Sequence, residues 1–375
     1  MICRRAPRTI RGMSEVLHGT PAADGLRMPG EFEPHAATWM LWPVRPDNWR
    51  EGAGPAQEAF ARVAAAIAEA EPVRMGVPAA EMENAASMLP AGVELVEMES
   101  DDAWMRDVGP SIVVGDGTRR GVDWQFNAWG GETGGLYSSW EKDEEVARKV
   151  LDFEGMGRYE APLVLEGGSI HVDGEGTCLT TEECLLNPNR NPELGREEIE
   201  RYLRDYLGIS KVIWLGLGVI EDETDGHVDD VAFFARPGVV GLQWCEDESD
   251  PQHARSLDAL ERLRAARDAK GRELEIVLLP NPGPLYMTEE EAGGIEQAPG
   301  TLPRLAGERL AASYANCYLA NGRVIAPRLD ERTDDEAFAA LEALFPEREV
   351  VPVPGREILL GGGNVHCITQ QVPAG

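Results

Sequence analysis

The chain has 375 residues, of which 43% are hydrophobic and 27% are charged, so it is long enough to bury a large core. Its formal net charge of −31 argues against binding to nucleic acid or to anionic membranes, because phosphate recognition needs an excess of lysine and arginine. No long apolar run is present, so no transmembrane helix is expected. The acidic balance suits a cationic small molecule, although it could equally serve solubility.

The cysteines and the N-terminus bear on the cellular compartment. The six cysteines form no Cys-x-x-Cys pair and are too sparse for a disulfide scaffold, which favours a reducing cytoplasm. The first dozen residues are arginine-rich but contain no apolar core of a secretory signal. We therefore expect a cytoplasmic protein with a flexible N-terminal extension at 1–27 and one catalytic domain at 28–375, and Met13 is a possible alternative start.

Five helices are predicted, and most follow two β-prone runs and precede a third. In chain order the predicted helices are 56–70, 141–152, 195–207, 251–269 and 333–344. In the fourth, Leu257, Leu260 and Leu263 recur on one face, and Asp250-Pro251 supplies a start signal. The β-prone runs are 38–41, 111–114, 120–126, 162–165, 228–235, 239–244, 275–279, 312–320, 323–326, 349–353 and 367–370.

This order predicts a weak repeat of ββαβ units. The first helix has only one strand before it, at 38–41, and the chain end supplies an unpaired one, at 367–370. Pairing of these two strands would close a ring of five units. By spacing alone, an ordinary α+β domain without symmetry is a slightly simpler interpretation, and no Pro/Ser-rich linker marks a domain boundary.

Polar segments recur just before or within the first strand of four units, at 104–110, 165–171, 224–230 and 361–367. The last of them is a Gly-Gly-Gly loop that ends in Cys367, which places a potential nucleophile directly after a tight turn. The loop lacks the Lys-Ser/Thr ending of a phosphate-binding loop. In a ring, the four segments would converge on the axis and bring together Asp107, Glu166, His227, Asp229 and Cys367.

These side chains could perform thiol chemistry. A cysteine nucleophile needs thiolate character and a base. His366 adjoins Cys367, but on a strand their side chains would point to opposite faces, so His227 is the better partner. Glu166 could fix the tautomer of His227. Two carboxylates, Asp107 and Asp229, are suited to bind a planar guanidinium ion, and Trp104 could stack on such a cation.

Plainer interpretations of the same residues remain open at this point. Cys367 could be a buried structural cysteine, Asp107 could pair with Arg106, Glu166 could be a turn carboxylate, and His227 could be an ordinary core histidine. The pattern His-x-Asp occurs twice, so a metal site is a further alternative, although a helical His-Glu-x-x-His motif is missing. That metal site would use His171, Asp173, His227 and Asp229.

The chain also resembles a known family, the agmatine deiminases of the guanidine-modifying (pentein) superfamily, which are related to the bacterial peptidyl-arginine deiminases. The similarity extends from about residue 28 to the end. The matching runs are 28–35 (MPGEFEPH), 39–43 (WMLWP), 45–50 (RPDNWR), 106–110 (RDVGP), 126–131 (FNAWGG), 171–177 (HVDGEGT), 181–192 (TEECLLNPNRNP) and 361–370 (GGGNVHCITQ).

The resemblance implies an α/β fold, a five-bladed pseudo-symmetric propeller of ββαβ modules. It implies hydrolysis of agmatine to N-carbamoylputrescine and ammonia in polyamine biosynthesis, through a covalent thiouronium intermediate and without cofactor or metal. Cys367 matches the nucleophile and His227 the general acid/base. Glu166 matches the carboxylate that orients the histidine, and Asp107 and Asp229 match the pair that binds guanidinium. A homodimer is a further family expectation.

One departure from the family pattern is Asp230, where asparagine is expected; it could add negative charge near the site. Two alternatives to agmatine hydrolysis are kept. The first is deimination of arginine or peptidyl-arginine, and the second is a five-bladed ligand-binding protein without catalysis. Arginine carries a carboxylate at the end opposite its guanidinium group and agmatine does not, so the residues that bind this end distinguish the first alternative from agmatine hydrolysis. The sequence does not show whether the acidic run 221–223 lies there. Retention of both Cys367 and His227 argues against the second.

Overall fold

The computed structural model of the protein describes residue 10 and residues 12–375. Its strands are short and mostly buried, and they are distributed along the whole described chain. The strands are β1 (His35–Leu41), β2 (Val73–Val77), β3 (Val93–Glu97), β4 (Ser111–Gly115), β5 (Thr118–Gln125), β6 (Arg158–Val164), β7 (His171–Val172), β8 (Thr177–Thr181), β9 (Lys211–Leu215), β10 (Ala232–Arg236), β11 (Val239–Trp244), β12 (Glu275–Pro280), β13 (Tyr318–Ala320), β14 (Arg323–Arg328), β15 (Glu349–Pro354) and β16 (Gln370–Pro373).

The α-helices lie mainly between the second and third strands of each unit. They are α1 (Gly54–Ala68), α2 (Met82–Met88), α3 (Met105–Val108), α4 (Gly131–Gly134), α5 (Glu141–Glu144), α6 (Val146–Glu154), α7 (Glu182–Leu185), α8 (Arg196–Leu207), α9 (Pro251–Ala265), α10 (Glu289–Gly293), α11 (Asp334–Leu344) and α12 (Arg356–Leu360). Short 3-10 helices occupy Glu51–Ala53, Ala79–Glu81, Gly167–Ser169 and Val228–Asp230. None of the helices in the described part of the chain is both long and apolar enough to cross a membrane.

The strands form five small sheets with one shared plan. The sheet orders are β4-β5-β6, β7-β8-β9, β10-β11-β12, β13-β14-β15 and β16-β1-β2-β3. In each sheet the first pair is antiparallel and the second pair is parallel, and a helix lies in the parallel connection. The predicted ββαβ repeat is therefore confirmed, and the unsymmetric α+β interpretation is wrong.

The first and last strands close the ring. Strand β1 pairs antiparallel with β16, so that Thr38 lies opposite Gln371 and Trp39 opposite Gln370. The sequence predicted this pairing from the two strands left without partners. Because Cys367 lies only three residues before β16, closure of the ring also fixes the position of the thiol.

Local sequence explains why the blade helices begin and end where they do. In α9 the side chain of Asp250 accepts a hydrogen bond from the backbone N–H of Gln252, and Pro251 occupies the first turn. Its buried side chains include Leu260 and Leu263, as the helical spacing predicted, but Leu257, predicted on the same face, is 38% exposed. Helix α8 ends at Gly208, which takes a left-handed conformation with φ of 72°.

Several predicted boundaries are wrong, and the errors matter near the centre of the ring. The run 312–320 is a strand only at Tyr318–Ala320, and the helix predicted at 141–152 is divided into α5 and α6. The run 228–235 begins with the 3-10 helix Val228–Asp230, and Cys367 lies in a turn at 365–368 rather than in β16. In the three β-prone segments, long-range contacts outweigh the β propensity.

The boundary predicted between residues 27 and 28 lies within packed structure. The backbone N–H of Leu17 donates to the carbonyl of Arg158, and Arg27 forms an isolated bridge with Val114. Leu26 is buried in the core cluster beneath the β4-β5-β6 and β7-β8-β9 sheets. The arginine-rich beginning of the predicted extension lies outside the described residues, except for residue 10.

Candidate active site

Five of the predicted site residues meet at the centre of the ring, and four connections between strands carry them. Asp107 lies on α3, and Glu166 directly precedes the 3-10 helix Gly167–Ser169. His227 and Asp229 belong to the turn around Val228–Asp230, and Cys367 lies in the turn before β16. All five side chains are buried.

Gly168 marks the point where three of these residues converge. A Cβ atom at Gly168 would lie 2.6 Å from His227 Nδ1, 2.9 Å from Asp107 Oδ1 and 3.0 Å from Asp229 Oδ2. The N–H of Gly168 also donates a 2.9 Å hydrogen bond to Asp107 Oδ1. Glycine is required here because any side chain would enter the space between the three groups.

His227 lies between two carboxylates. Its Nδ1 is 3.9 Å from Asp107 Oδ1, and its Nε2 is 3.9 Å from Glu166 Oε2. Burial opposes a charge on the imidazole, but Asp107, the Cys184 thiol and Glu166 outweigh it and raise the pKa of His227 well above its ordinary value. This shift favours the imidazolium form of His227, which can act as a proton donor.

Arg190 holds Glu166 in its charged form. The guanidinium Nε of Arg190 donates a 2.7 Å hydrogen bond to Glu166 Oε1, and both side chains are buried. Burial alone would raise the pKa of Glu166, but Arg190 and His227 lower it to about 2. The prediction did not name Arg190, although it lies in the 181–192 run that carries the family resemblance. The interpretation of Glu166 as a simple turn carboxylate does not account for this buried pair.

His366 contacts two carboxylates, and the sequence indicated neither contact. Its Nδ1 lies 2.7 Å from Asp229 Oδ2, and its Nε2 lies 2.8 Å from Glu31 Oε2. Both nitrogens must donate to carboxylates, so the ring carries a positive charge. Burial and Arg106 work against that charge, but Glu31 and Asp229 outweigh them and raise the pKa of His366.

The charged His366 ring also acts on Asp229. Burial favours the neutral carboxyl, but the hydrogen bond from His366 outweighs it and lowers the pKa of Asp229. The strand-based argument about His366 was wrong in its premise, because residues 365–368 form a turn. Arg106 does not pair with Asp107. It donates a 3.1 Å hydrogen bond to Glu31 Oε2 instead.

The thiol of Cys367 is surrounded by acidic groups. Burial, reinforced by Asp229, Asp230 and Asp107, raises the pKa of Cys367 well above its ordinary value. Asp230 is itself buried, and burial together with Asp229 raises the pKa of Asp230 well above the usual range. This shift favours the protonated form of the carboxyl at the position that departs from the family pattern.

A small cavity lies against the site. Its volume is about 10 Å³, enough for about one water molecule. Trp104 lines it, packs on Trp49 at 5.1 Å between ring centroids, and would touch a Cβ at Gly363 beside Cys367. The other lining residues are Arg45, Asn48, Asp102, Trp129, Leu136, Tyr137, Glu223, Thr301, Leu302 and Arg304.

The structure separates the four residues of the metal alternative. Asp173 accepts hydrogen bonds from the backbone N–H groups of Glu175 and Thr177, which is a turn function. His171 accepts from the N–H of Phe234, and burial lowers its pKa to about 4. Two other buried groups of described residues have metal-ligand spacing, namely Glu31 with His171 and His366, and Glu166 with Cys184 and His227.

In the first group both nitrogens of His366 already donate to carboxylates, which leaves no lone pair for a metal. In the second group one oxygen of Glu166 is bound by Arg190, whose fixed positive charge would oppose a cation. Neither group is therefore well suited to a resident metal ion.

A ring of five ββαβ blades around a buried cysteine, histidine and carboxylates is the arrangement of the guanidine-modifying, or pentein, superfamily. The family model for Porphyromonas-type peptidyl-arginine deiminases matches residues 27–373. The chain belongs to this family, as the sequence resemblance predicted.

Individual relatives agree with this membership. A protein of Pectobacterium atrosepticum, provisionally named an agmatine deiminase, is 61% identical over 355 residues, which are 94% of this chain and 96% of the relative. The solved agmatine deiminase of Enterococcus faecalis is 46% identical with a TM-score of 0.94, covering 96% of this chain and 99% of that one. A Cys-to-Ser agmatine deiminase of C. jejuni, solved with substrate bound, is 26% identical with a TM-score of 0.80, covering 92% of this chain and 96% of that one.

Proposed function

We propose that the protein is an agmatine deiminase, a hydrolase that converts agmatine and water into N-carbamoylputrescine and ammonia. The observation that carries the proposal is the placement of Asp107 and Asp229 around one buried point beside the Cys367 thiol and His227. The high identity to proteins named agmatine deiminases supports the choice of substrate.

The two aspartates would bind the guanidinium group first. Asp229 Oδ1 is buried without a hydrogen-bond partner, and Asp229 Oδ2 lies 3.8 Å from Cys367 Sγ. Carboxylates bind guanidinium in a bidentate manner, so this arrangement would hold the central carbon next to the sulfur. Positioning of this kind can supply as much as roughly 7–11 kcal/mol of the barrier reduction.

The positive charge of the substrate would also assist thiolate formation. The surrounding carboxylates disfavour a thiolate at Cys367 in the empty site. The positive charge of an incoming guanidinium would offset their negative charge and lower the pKa of the thiol. The thiol proton would leave to solvent as the substrate binds. Cys367 Sγ then forms a bond to the guanidinium carbon, which gives a neutral tetrahedral intermediate.

His227 would next act as an acid and then as a base. It donates its proton to the leaving nitrogen, the C–N bond breaks, ammonia departs, and a thiouronium cation remains on Cys367. Neutral His227 then takes a proton from water as the water oxygen bonds to carbon. The new hydroxyl group loses its proton to solvent, and the C–S bond breaks with its electron pair on Cys367 Sγ. The ureido product leaves, and the thiolate takes a proton from solvent to restore the thiol. Acid–base assistance of this kind is typically worth about 10²–10⁴-fold.

The far end of the cavity favours agmatine over arginine. The α-carboxylate of arginine would require a free cation, but both arginines that line the cavity are engaged with carboxylates. Arg45 donates to Asp47 at 2.9 Å, and Arg304 donates to both oxygens of Glu223 at 2.7 and 2.8 Å. Glu223, from the acidic run 221–223 noted in the sequence, also lines the cavity, but Arg304 engages both of its oxygens. An ammonium group would therefore have to share this carboxylate with Arg304.

The substrate is tested by incubating the purified protein separately with agmatine, arginine and a peptidyl-arginine, and by measuring ammonia and ureido product. We expect kcat/KM to be highest for agmatine by at least about 100-fold, because a buried unpaired carboxylate costs several kcal/mol. Equal or faster turnover of arginine would instead support the first alternative. Absence of product with all three would support a binding protein.

Chelation is expected to leave the agmatine reaction unchanged, because the proposed mechanism relies on a thiol and the two ligand-like groups are poorly suited to a metal. The measurement is the steady-state rate after dialysis against EDTA, with an untreated sample carried through the same dialysis without chelator. A loss of activity that added Zn²⁺ restores would contradict the metal-free mechanism and support a metal at Glu166, Cys184 and His227.

Three further parts of the proposal rest on the family resemblance and on cysteine usage. The enzyme is proposed to be cytoplasmic, to form a homodimer and to supply polyamine biosynthesis. Sedimentation of the purified protein measures the oligomeric state directly, and a monomer at working concentration would overturn the dimer.

A further inference from the structure

A row of buried side chains with alternating charge ends at one of the two aspartates proposed to bind guanidinium. In order they are Arg106, Glu31, His366 and Asp229. Glu31 Oε2 accepts a 3.1 Å hydrogen bond from Arg106 Nη2 and a 2.8 Å hydrogen bond from His366 Nε2. His366 Nδ1 donates to Asp229 Oδ2 at 2.7 Å. The proposed mechanism uses Asp229 and assigns no role to the other three.

Glu31 is fixed at its end of the row by groups outside the site. Its Oε1 accepts a 2.9 Å hydrogen bond from the backbone N–H of Leu319 on β13. Arg106, which bonds to its other oxygen, also donates to Gln371 Oε1 on β16 at 2.8 Å. Glu31 belongs to the run 28–35, for which the sequence indicated a family resemblance but no role. Its carboxylate therefore has a defined position from which it can hold the histidine ring.

The row leaves the two oxygens of Asp229 in different surroundings. Oδ2 accepts the hydrogen bond from His366 and lies 3.8 Å from Cys367 Sγ. Oδ1 is buried and has no hydrogen-bond partner among the described residues. A buried carboxylate oxygen without a donor is costly, so Oδ1 is available for an N–H group of a ligand. Since Glu31 holds the other nitrogen of His366, the ring cannot turn away from Oδ2 without breaking a second charged hydrogen bond.

We propose that Glu31 and His366 are positioning residues for the guanidinium site, which hold the Asp229 carboxylate with its unpartnered oxygen towards the substrate. The ring of His366 bonds to a carboxylate on each side. Its positive charge therefore stabilises Asp229, while Glu31 offsets that charge against an approaching cation. Neither positioning residue touches the substrate or transfers a proton. The inference rests on the proposed function, because it assumes that Asp229 binds a guanidinium group.

The test measures the binding of agmatine rather than its turnover. The dissociation constant of agmatine is measured by titration calorimetry in Cys367→Ser, called the parent, which keeps the site but lacks the nucleophile. The same measurement is made in the parent carrying Glu31→Gln, His366→Asn or His366→Gln. Thermal melts of each variant report on folding.

The three substitutions separate the charge of the ring from its hydrogen bond. The amide nitrogen of asparagine can occupy about the position of histidine Nδ1, and that of glutamine the position of Nε2. His366→Asn therefore keeps a donor for Asp229 but removes the positive charge. Glu31→Gln does the same, because His366 opposite a neutral amide can lose its Nε2 proton and keep the Nδ1 proton. His366→Gln removes the donor itself.

We expect Glu31→Gln and His366→Asn to weaken agmatine binding by about tenfold, because a charged hydrogen bond to Asp229 becomes a neutral one. His366→Gln should weaken binding by about 100-fold, because Asp229 Oδ2 is then buried without a donor. A residue that only fills space would show no such order between the two His366 variants.

The pH dependence of binding separates positioning from packing. Burial raises the pKa of Asp107 to about 6, whereas at Asp229 the hydrogen bond from His366 outweighs burial and lowers the pKa. In the parent, Asp107 is therefore protonated first as the pH falls. Loss of the charge at His366 raises the pKa of Asp229, so a second ionisation should enter the acid limb and binding should weaken from a higher pH. The other titratable or charged groups that face Asp229 are unchanged, namely His227, Arg106, Asp107, Asp230, His171 and Cys367, the last as serine.

The matched control is Glu71→Gln in the same parent. Glu71 is also a buried carboxylate paired with a buried histidine, His35, at 3.1 Å. The other nitrogen of His35 bonds to the backbone carbonyl of Glu31 and not to its carboxylate. This variant should bind agmatine with the dissociation constant and the pH profile of the parent, even where its melting temperature falls.

Parent-like binding and an unmoved acid limb in a folded Glu31→Gln or His366→Asn variant would overturn the inference. An equal loss in both His366 variants without a change in the acid limb would also overturn it, because His366 would then serve packing alone. If one substitution prevents folding, the remaining two decide the question. Failure of all three to fold would show that the row serves folding rather than the substrate, against the inference.

Turnover of agmatine by the wild type tests the proposed function separately. Turnover with parent-like binding in the variants would leave the proposed function and remove the role of Glu31 and His366. Binding of agmatine that weakens as expected, without turnover by the wild type, would support the positioning role and contradict the proposed hydrolysis. If the parent binds arginine and not agmatine, the same titrations with arginine decide the role. Binding of neither ligand would overturn both proposals.

Discussion

Replacing Cys367 with serine is expected to abolish agmatine turnover, with kcat lowered by about 10⁴-fold or more, while the melting temperature changes little. Serine has nearly the size of cysteine and keeps one hydrogen-bonding atom beside Asn316. Its hydroxyl group, however, cannot form the anion in a site ringed by Asp107, Asp229 and Asp230. Steady-state kinetics and thermal melts measure the two quantities.

Cys245→Ser is the matched control for this prediction. Cys245 is also a buried free cysteine directly after a strand, but it lies beside Ser256 and Asp247. This variant should keep wild-type kcat. Cys184 is not a suitable control because its thiol adjoins His227. Near-normal activity of Cys367→Ser, or full activity after selective alkylation of Cys367, would show that another group is the nucleophile.

Replacing either guanidinium-binding aspartate with asparagine should lower kcat/KM for agmatine by at least about tenfold, since a charge-assisted hydrogen bond is worth about 1.5–3 kcal/mol. The carboxylate of Asp107 accepts hydrogen bonds from the backbone N–H of Gly168 and from Trp129 Nε1. In Asp107→Asn, the NH₂ group of the new side chain would face one of these two donors. At Asp229 the change would remove the ionic partner of His366. At Asp107 the loss of kcat/KM should exceed any loss of stability, because Asp229 and Glu166 repel its carboxylate in the empty site. At Asp229 the melting temperature should also fall, because His366 is left with Glu31 as its one carboxylate partner.

The control for both variants is Asp173→Asn. Asp173 is equally buried and accepts two backbone hydrogen bonds, but it lies outside the cluster around Gly168. It also belongs to the His-x-Asp pair of the metal alternative, so its variant tests that alternative at the same time. Wild-type kcat/KM in Asp107→Asn or Asp229→Asn would mean that this aspartate serves only the local turn.

The sequence indicated a repeat of ββαβ units and, through the family resemblance, the five-bladed architecture and the proposed reacting groups. The ββαβ order is readable because helices and strands have different apolar spacings, and the unpaired runs at 38–41 and 367–370 indicated how the ring closes. Short glycine- and carboxylate-containing segments recur before the first strands of the units, so a ring must bring them together. For this reason Asp107, Glu166, His227, Asp229 and Cys367 could be named before their distances were known, and the long motif runs gave the family.

Only the tertiary structure decided which groups control these residues. Arg190, Glu31 and Asn316 hold Glu166, His366 and Cys367, and these pairs are 24, 335 and 51 residues apart. Neither periodicity nor a local motif encodes a contact of that kind. The turns at 228–230 and 365–368 also differ from their β-prone sequences, because buried hydrogen bonds to Asp222 and Asn316 fix their backbones. Burial and neighbouring charges set the pKa of each group in the site. Both are defined only when the ring is closed, so the charge state of the site depends on these tertiary contacts.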